Sequence, residues 1–180
     1  MNFSSTGETQ AMSSGEDFHE VILALAAQIG PCDVVVCTGA AHVDSVRAVL
    51  SSPFVSSFRL ISCYAIRLMN QAQANKVAEA MGRGMRSART HAKFALLSGP
   101  GGTVSVLTSA NLNRNIRSES YMITQDPGCA DMLRSHVSAL EAAGAELGKA
   151  AGYYWSTLQQ VLGFQQTENL SLAETIKRFI

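Results

Sequence analysis

The chain has 180 residues, of which 47% are hydrophobic and 16% are charged. These values are typical of one globular domain with a buried core, and they exclude an intrinsically disordered chain. No apolar run reaches the roughly 18–20 residues of a membrane span, and the N-terminus lacks the basic start and apolar core of a signal peptide. We therefore expect a cytoplasmic protein with no membrane partner.

Basic residues concentrate in the middle of the chain, although the formal net charge is zero. Between Ser45 and Ser118 the sequence has ten lysines and arginines and a single acid, Glu79. This asymmetry favours an anionic partner at one face of the protein. Acidic ends of the chain that fold across the basic middle would also neutralise it, and the charge pattern alone leaves this alternative open.

The four cysteines show neither a CxxC pair nor the spacing of a zinc finger. Cys37 and Cys63 lie in apolar runs that are typical of strands. We therefore expect buried, reduced thiols rather than disulfides.

The N-terminal part of the sequence predicts a leader, a helix and a strand. Residues 1–15 are rich in Ser, Thr, Gly and Glu, which predicts a disordered leader. Apolar residues at helical spacing predict a helix over 16–29, which Gly30 and Pro31 end. The β-branched run over 33–38 is typical of a strand that is covered on both faces.

Helices and strands continue to alternate along the next fifty residues. The pattern predicts a helix over 41–51, a strand over 57–63 and a helix over 66–81, which glycines close. Such alternation implies parallel strands that are joined by right-handed crossovers.

The order of elements changes in the second half of the chain. Predicted strands over 87–97 and 104–108 are joined by a five-residue glycine-rich segment that starts at Ser98, which is too short for a helix. They are therefore expected to form an antiparallel hairpin. A further strand over 120–124 and a helix over 130–151 follow.

The predicted domain spans residues 16–151. Its fold class is α/β, with a mixed β-sheet flanked by helices on both faces. The tail over 152–180 begins with an aromatic helix, and we expect it to pack on the domain or at a dimer interface.

The predicted hairpin carries side chains that suit phosphate chemistry. His91 and Lys93 are two residues apart, as are Ser109 and Asn111, so each pair shares a face of an extended strand. A neutral imidazole can attack phosphorus, a lysine supplies positive charge, and an asparagine supplies an amide donor. A carboxylate such as Glu119 can bind the second nitrogen of a histidine and set its tautomer.

The joint spacing resembles a half-motif of the phospholipase D superfamily. That family's pattern is His-x-Lys, four residues, Asp, and then Gly-Ser-x-Asn. His91 and Lys93 match it, Asn111 follows the lysine by eighteen residues, and Ser109 stands two residues before the asparagine. Glu119, which precedes a predicted strand, is similar to the family's glutamate that supports the histidine.

Two positions depart from the family pattern. Ser98 stands where the aspartate would be, and Thr108 replaces the motif glycine. The aspartate is also missing from the tyrosyl-DNA phosphodiesterase branch, which keeps His-x-Lys followed by Asn at the same spacing. The resemblance covers about residues 33–146 and implies a phospholipase D-like half-domain.

The resemblance implies a metal-independent phosphodiesterase, most simply a nuclease, with no cofactor. One histidine of the family forms a phosphohistidine and a second protonates the leaving oxygen. This chain has one His-x-Lys, because His19, His42 and His136 have no lysine two residues later. A chain of this kind resembles the small dimeric bacterial endonucleases, so we expect a homodimer in which two copies of His91 share one phosphate.

The substrate class is predicted from the basic residues around the motif. Phe94 is the one aromatic residue among them, so we expect contacts to a nucleic-acid backbone with little sequence specificity. The wider groove would include Arg83 and Arg86. The candidate substrate-binding residues are Arg89, Ser109, Asn113, Arg114 and Arg117.

Two other functions stay open at this point. One is a non-catalytic nucleic-acid-binding module of the same fold, which the serine at position 98 would favour. The other is a hydrolase of phospholipids or other phosphodiesters.

Overall fold

The computed structural model describes residues 9–14, 16–63, 70–114 and 118–143. Within these ranges the strands are β1 (Thr9–Ser14), β2 (Cys32–Thr38), β3 (Val55–Cys63), β4 (Met85–Ala88), β5 (Phe94–Gly99), β6 (Gly102–Thr108) and β7 (Glu119–Thr124). The helices are α1 (Phe18–Ile29), α2 (Val43–Leu50), α3 (Gln71–Met81) and α4 (127–143).

The seven strands form one mixed sheet in the order β1-β7-β6-β5-β2-β3-β4. Strands β2, β3 and β4 run parallel to one another, whereas all other neighbours are antiparallel. The pairing of Gly99 with Gly102 leaves a two-residue turn between β5 and β6. The predicted parallel crossovers and the predicted hairpin are therefore confirmed.

The central strand β2 is covered on both faces, as its continuous apolar run predicted. Val34 and Val36 belong to the core that also contains α1, α2 and α3. Val35 and Cys37 face the opposite way and join a smaller core with Leu133 of α4. Burial raises the pKa of the Cys37 thiol to about 11, which keeps it neutral and unreactive near pH 7. The helices thus lie on both faces of the mixed sheet.

The predicted strand over 87–97 was wrong, because the structure divides it into two elements. β4 ends at Ala88 and pairs with β3 at one margin of the sheet, whereas β5 begins at Phe94 on the far side of β2. The intervening residues carry the chain across the end of the sheet. His91 and Lys93 therefore lie in this crossing segment rather than within a strand.

The N-terminal leader was predicted to be disordered, and for residues 9–14 this was wrong. They form β1, which pairs antiparallel with β7 from Thr9–Thr124 to Ser14–Glu119. Without β1, the hydrogen-bonding groups on one side of β7 would form an open sheet edge. Composition alone cannot show this pairing because it joins segments more than a hundred residues apart.

Some predicted elements reach beyond the described residues. The third helix begins at Gln71 in the structure, where the side chain of Asn70 accepts a hydrogen bond from the Gln73 N–H at 3.1 Å. The start predicted at residue 66 and the tail over 152–180 lie outside the described residues. Within the described ranges, no helix has the length and apolar character that a membrane crossing requires.

Candidate active site

The predicted site residues meet because four strand termini lie at one end of the sheet. The carboxyl ends of β2 and β6 are beside the amino ends of β5 and β7. The register pairs Cys37 with Phe94, Phe94 with Leu107, and Thr108 with Tyr121. His91, Lys93, Asn111 and Glu119 lie at or just beyond these strand ends.

Asn111 is fixed by backbone that follows β2. The Ala40 N–H donates to Asn111 Oδ1 at 3.0 Å, and the Thr38 hydroxyl lies 3.4 Å from the same oxygen. Thr38 Oγ1 also accepts the Leu112 N–H at 3.0 Å, which anchors the loop that carries Asn111. Because a backbone N–H can only donate, the contacting atom must be the carbonyl oxygen, and the amide Nδ2 remains to donate to a ligand.

Gly39 lies beneath the point where Asn111 and Lys93 approach each other. A Cβ built on Gly39 would be 2.8 Å from Asn111 Oδ1 and 3.7 Å from Lys93 Nζ. The missing side chain therefore permits the close approach of Asn111 to the main chain. Thr38 and Gly39 were not among the residues predicted for the site. A Thr-Gly pair directly after a buried parallel strand was the available signal, because ligands commonly bind at the carboxyl ends of such strands.

Lys93 is held at the start of the hairpin, and His91 lies next to it. The Lys93 carbonyl accepts the Thr108 N–H at 3.1 Å, which extends the β5–β6 ladder by one residue. Lys93 Nζ donates to the His91 carbonyl at 3.1 Å and lies 3.4 Å from both ring nitrogens. The half-buried ammonium group and the exposed imidazole thus form one adjacent pair.

Ser109 and Glu119 form a second pair where β6 ends and β7 begins. The Ser109 hydroxyl donates to Glu119 Oε2 and accepts the Ser120 N–H at 3.1 Å. The Ser109 N–H in turn donates to the Ser120 carbonyl at 3.1 Å. In this geometry the hydroxyl of Ser109 is engaged by the carboxylate. The orientation of His91 by Glu119 stays a prediction.

The remaining predicted binding residues differ in their surroundings. Arg89 and Arg114 are exposed at the same end of the sheet, and Arg117 lies outside the described residues. Asn113 Oδ1 is buried and has no hydrogen-bond partner among the described residues. The described ranges also contain no group of three His, Cys, Asp or Glu side chains that could hold a metal ion.

Ser98, which stands at the position of the family aspartate, lies at the opposite end of β5 from Lys93. It pairs with Thr103 on β6 and with Asp33 on β2, and its hydroxyl is 3.4 Å from Thr103 Oγ1. It follows Lys93 by five positions, which is roughly 17 Å along an extended strand. Ser98 therefore lies at the end of the sheet away from Lys93. An aspartate at position 98 would stand directly across from Asp33, and like charges in such positions repel.

No family model and no curated protein matches the chain. Nuc from Salmonella typhimurium, a phospholipase D family member, is similar in structure, with a TM-score of 0.57 and 14% identity over 77% of this chain and 96% of that chain. NucT from Helicobacter pylori has a TM-score of 0.53 and 12% identity over 76% and 97% of the two chains.

Polyphosphate kinase from Porphyromonas gingivalis is also similar, with a TM-score of 0.55 and 14% identity over 75% of this chain and 26% of that chain. The shared architecture is an α/β fold whose mixed sheet is covered by helices on both faces. It is also the fold of Nuc, which is a phospholipase D family member. The resemblance predicted from the half-motif is therefore confirmed at the level of the fold.

Proposed function

We propose that this chain is a metal-independent phosphodiesterase that cleaves nucleic-acid backbones through a phosphohistidine intermediate. The observation that carries the proposal lies at one end of the sheet, where Lys93 and Asn111 approach Gly39 and His91 lies beside Lys93. In this proposal the three side chains act as a nucleophile, a cation and an amide donor on one small surface. This set matches what phosphoryl transfer requires, which is a nucleophile and stabilisation of charge on the phosphoryl oxygens.

The proposed reaction has two displacements at phosphorus. A neutral ring nitrogen of His91 attacks, the P–N bond forms, and the P–O bond to the leaving group breaks as His91 of the partner subunit gives that oxygen a proton. The partner's His91 then removes a proton from water, whose oxygen attacks phosphorus and breaks the P–N bond. Lys93 Nζ and Asn111 Nδ2 stabilise the charge on the non-bridging oxygens in both steps.

The proposed dimer follows from the number of histidines in the motif. The mechanism uses two imidazoles, and the sequence has one His-x-Lys. The similarity spans 96% of Nuc and 97% of NucT, so the shared fold is a unit of about the same size in all three chains. Light scattering of the active protein should give the mass of two chains. A protein that is active and strictly monomeric would contradict the shared site.

A nucleic acid is favoured over a phospholipid because of the surface charge near His91. Arg89 and Arg114 are exposed at the same end of the sheet. Repeated phosphates can contact several such side chains at once. Purified protein should be incubated in EDTA with single-stranded DNA, duplex DNA, RNA and phosphatidylcholine. Faster cleavage of phosphatidylcholine, or cleavage that depends on added metal, would overturn the proposal.

Gly39→Ala should lower kcat/KM on the nucleic-acid substrate by about ten- to a hundredfold. The new Cβ would meet Asn111 Oδ1 at 2.8 Å and displace that side chain, and a displacement of 1 Å in an active site can cost about a hundredfold in rate. Gly128→Ala is the matched control, because its Cβ would find no atom nearer than 3.5 Å. Equal activity of the two variants would show that the contact at Gly39 does not position Asn111.

Ser98→Asp should change kcat/KM by less than about twofold, although it restores the family aspartate. The side chain lies beside Thr103 and Asp33 at the far end of the sheet, where it cannot contact the phosphate. Steady-state rates of the two proteins on the same oligonucleotide would test this. A large gain in rate would instead mean that position 98 acts on the site through the length of β5.

A further inference from the structure

A second cluster of arginines borders a cavity at the margin of the sheet that β3 and β4 form. The cavity has a volume of about 330 Å³. Three guanidinium groups and one carboxylate surround it, so it carries an excess of positive charge. The residues that line it are Arg59, Leu60, Ile61, Arg83, Gly84, Arg86 and Glu141.

The positive charge of this cavity is largely uncompensated. Arg59 Nη1 binds Glu141 Oε1 at 3.0 Å, which joins β3 to α4. Arg86 Nη1 donates instead to the carbonyls of Arg83 and Met85, both at 2.9 Å. These carbonyls orient the guanidinium group of Arg86 but carry no net charge. Among the described residues, no carboxylate forms an ion pair with Arg83 or Arg86.

The cavity and the candidate active site lie along one strand. β4 is the last strand of the sheet and runs parallel to β2, so it leads from the cavity towards the end where His91 lies. Arg86 precedes His91 by five residues, and their Cα atoms are therefore at most roughly 18 Å apart. The exposed Arg89 stands between them. A row of exposed cationic groups thus extends from the cavity to the site.

We propose that this arginine cavity binds a second phosphate of the same nucleic-acid strand that is cleaved at His91. The inference rests on the proposed function. One strand of a duplex presents a phosphate about every 3.4 Å along its axis, so the bound phosphate lies at most about five nucleotides from the scissile bond. A substrate with one phosphodiester group cannot reach both places. The cavity therefore favours long polyanions over phospholipids and short oligonucleotides.

The test compares two double variants that remove the same charge. Arg83→Gln with Arg86→Gln alters the cavity, and glutamine keeps a donor for the carbonyls that Arg86 contacts. Arg47→Gln with Arg134→Gln removes two exposed arginines that do not line the cavity. Thermal unfolding of each variant checks that the fold is retained.

Two substrates separate the subsite from the active site. On bis(p-nitrophenyl) phosphate, which has one phosphate, the cavity variant should keep kcat/KM within about twofold of the unmodified protein. On a single-stranded oligonucleotide of about twenty nucleotides, its kcat/KM should fall at least about tenfold through a higher KM. The control variant should change neither value by more than about twofold. Equal losses on both substrates, or no loss on the oligonucleotide, would overturn the proposal.

Binding gives a readout that does not depend on turnover. In a His91→Ala background, fluorescence anisotropy of the labelled oligonucleotide should show weaker binding by the cavity variant. The magnitude of the slope of log K against log salt should also fall by about 0.7 units, because the contact with one phosphate of a single strand is lost. If the unmodified protein cleaved neither substrate, the proposed function would be refuted. The binding measurement would still show whether the cavity contacts the nucleic acid. The proposed phosphate subsite would be overturned if affinity and slope were unchanged in the cavity variant, or if no variant bound the oligonucleotide.

Discussion

Replacement of His91 by alanine should lower kcat/KM on DNA by at least about a thousandfold in the presence of EDTA. In the proposed dimer the substitution removes both the nucleophile of one subunit and the proton donor of the other, and groups that act directly in bond formation have the largest effects. The imidazole is exposed and contacts Lys93, so its removal should leave the fold intact. Initial rates on a labelled oligonucleotide and a thermal unfolding curve would measure both expectations.

His136→Ala is the matched control for this experiment. His136 is also exposed, and its ring centroid lies 5.9 Å from that of Phe94, on the face of the sheet that α4 covers. This variant should retain cleavage within about twofold.

A phosphorus label should stay attached to the unmodified protein in an acid-labile form after a rapid quench, and His91→Ala should lack it. Cleavage by His91→Ala at the unmodified rate would refute the mechanism.

The part of the site that the sequence predicted is the part that depends on local structure. Lys93 and Thr108 lie on opposite arms of a hairpin whose glycine-rich turn sets the register. The contact between these two residues therefore follows from their spacing along the chain. The spacing of His91, Lys93 and Asn111 was also the basis for the predicted fold. The structural similarity to Nuc confirms that fold.

The parts that the sequence did not predict depend on contacts between distant segments. Asn111 binds Ala40, which is 71 residues away, and no periodicity of the chain indicates that contact. The crossing from β4 to β5 follows from the strand order of the sheet, which apolar runs alone do not determine. Ser98 departs from the family pattern at the position of the aspartate. Its position relative to Lys93 could be judged only after the direction of β5 was known.

Asn111→Asp should reduce kcat/KM on DNA by about a hundredfold or more, because it exchanges an amide donor for an anionic oxygen at nearly constant shape. The Ala40 N–H would still donate to the retained Oδ1, so the side chain should keep its position. The second carboxylate oxygen would then face the phosphoryl oxygens, where the loss of one fixed donor alone typically costs about a hundred- to a thousandfold. The readout is the initial rate in EDTA on the labelled oligonucleotide.

Asn70→Asp makes the same chemical change where it should be harmless. Asn70 also accepts a backbone N–H, from Gln73 at 3.1 Å, but it does so as the N-cap of α3, a position that suits aspartate equally well. We expect this control to retain the unmodified rate within about twofold. If the two variants had equal activity, Asn111 Nδ2 would not contact the phosphate. If Asn111→Asp alone lost activity and both proteins unfolded at the same temperature, the loss would come from the missing donor and the added charge.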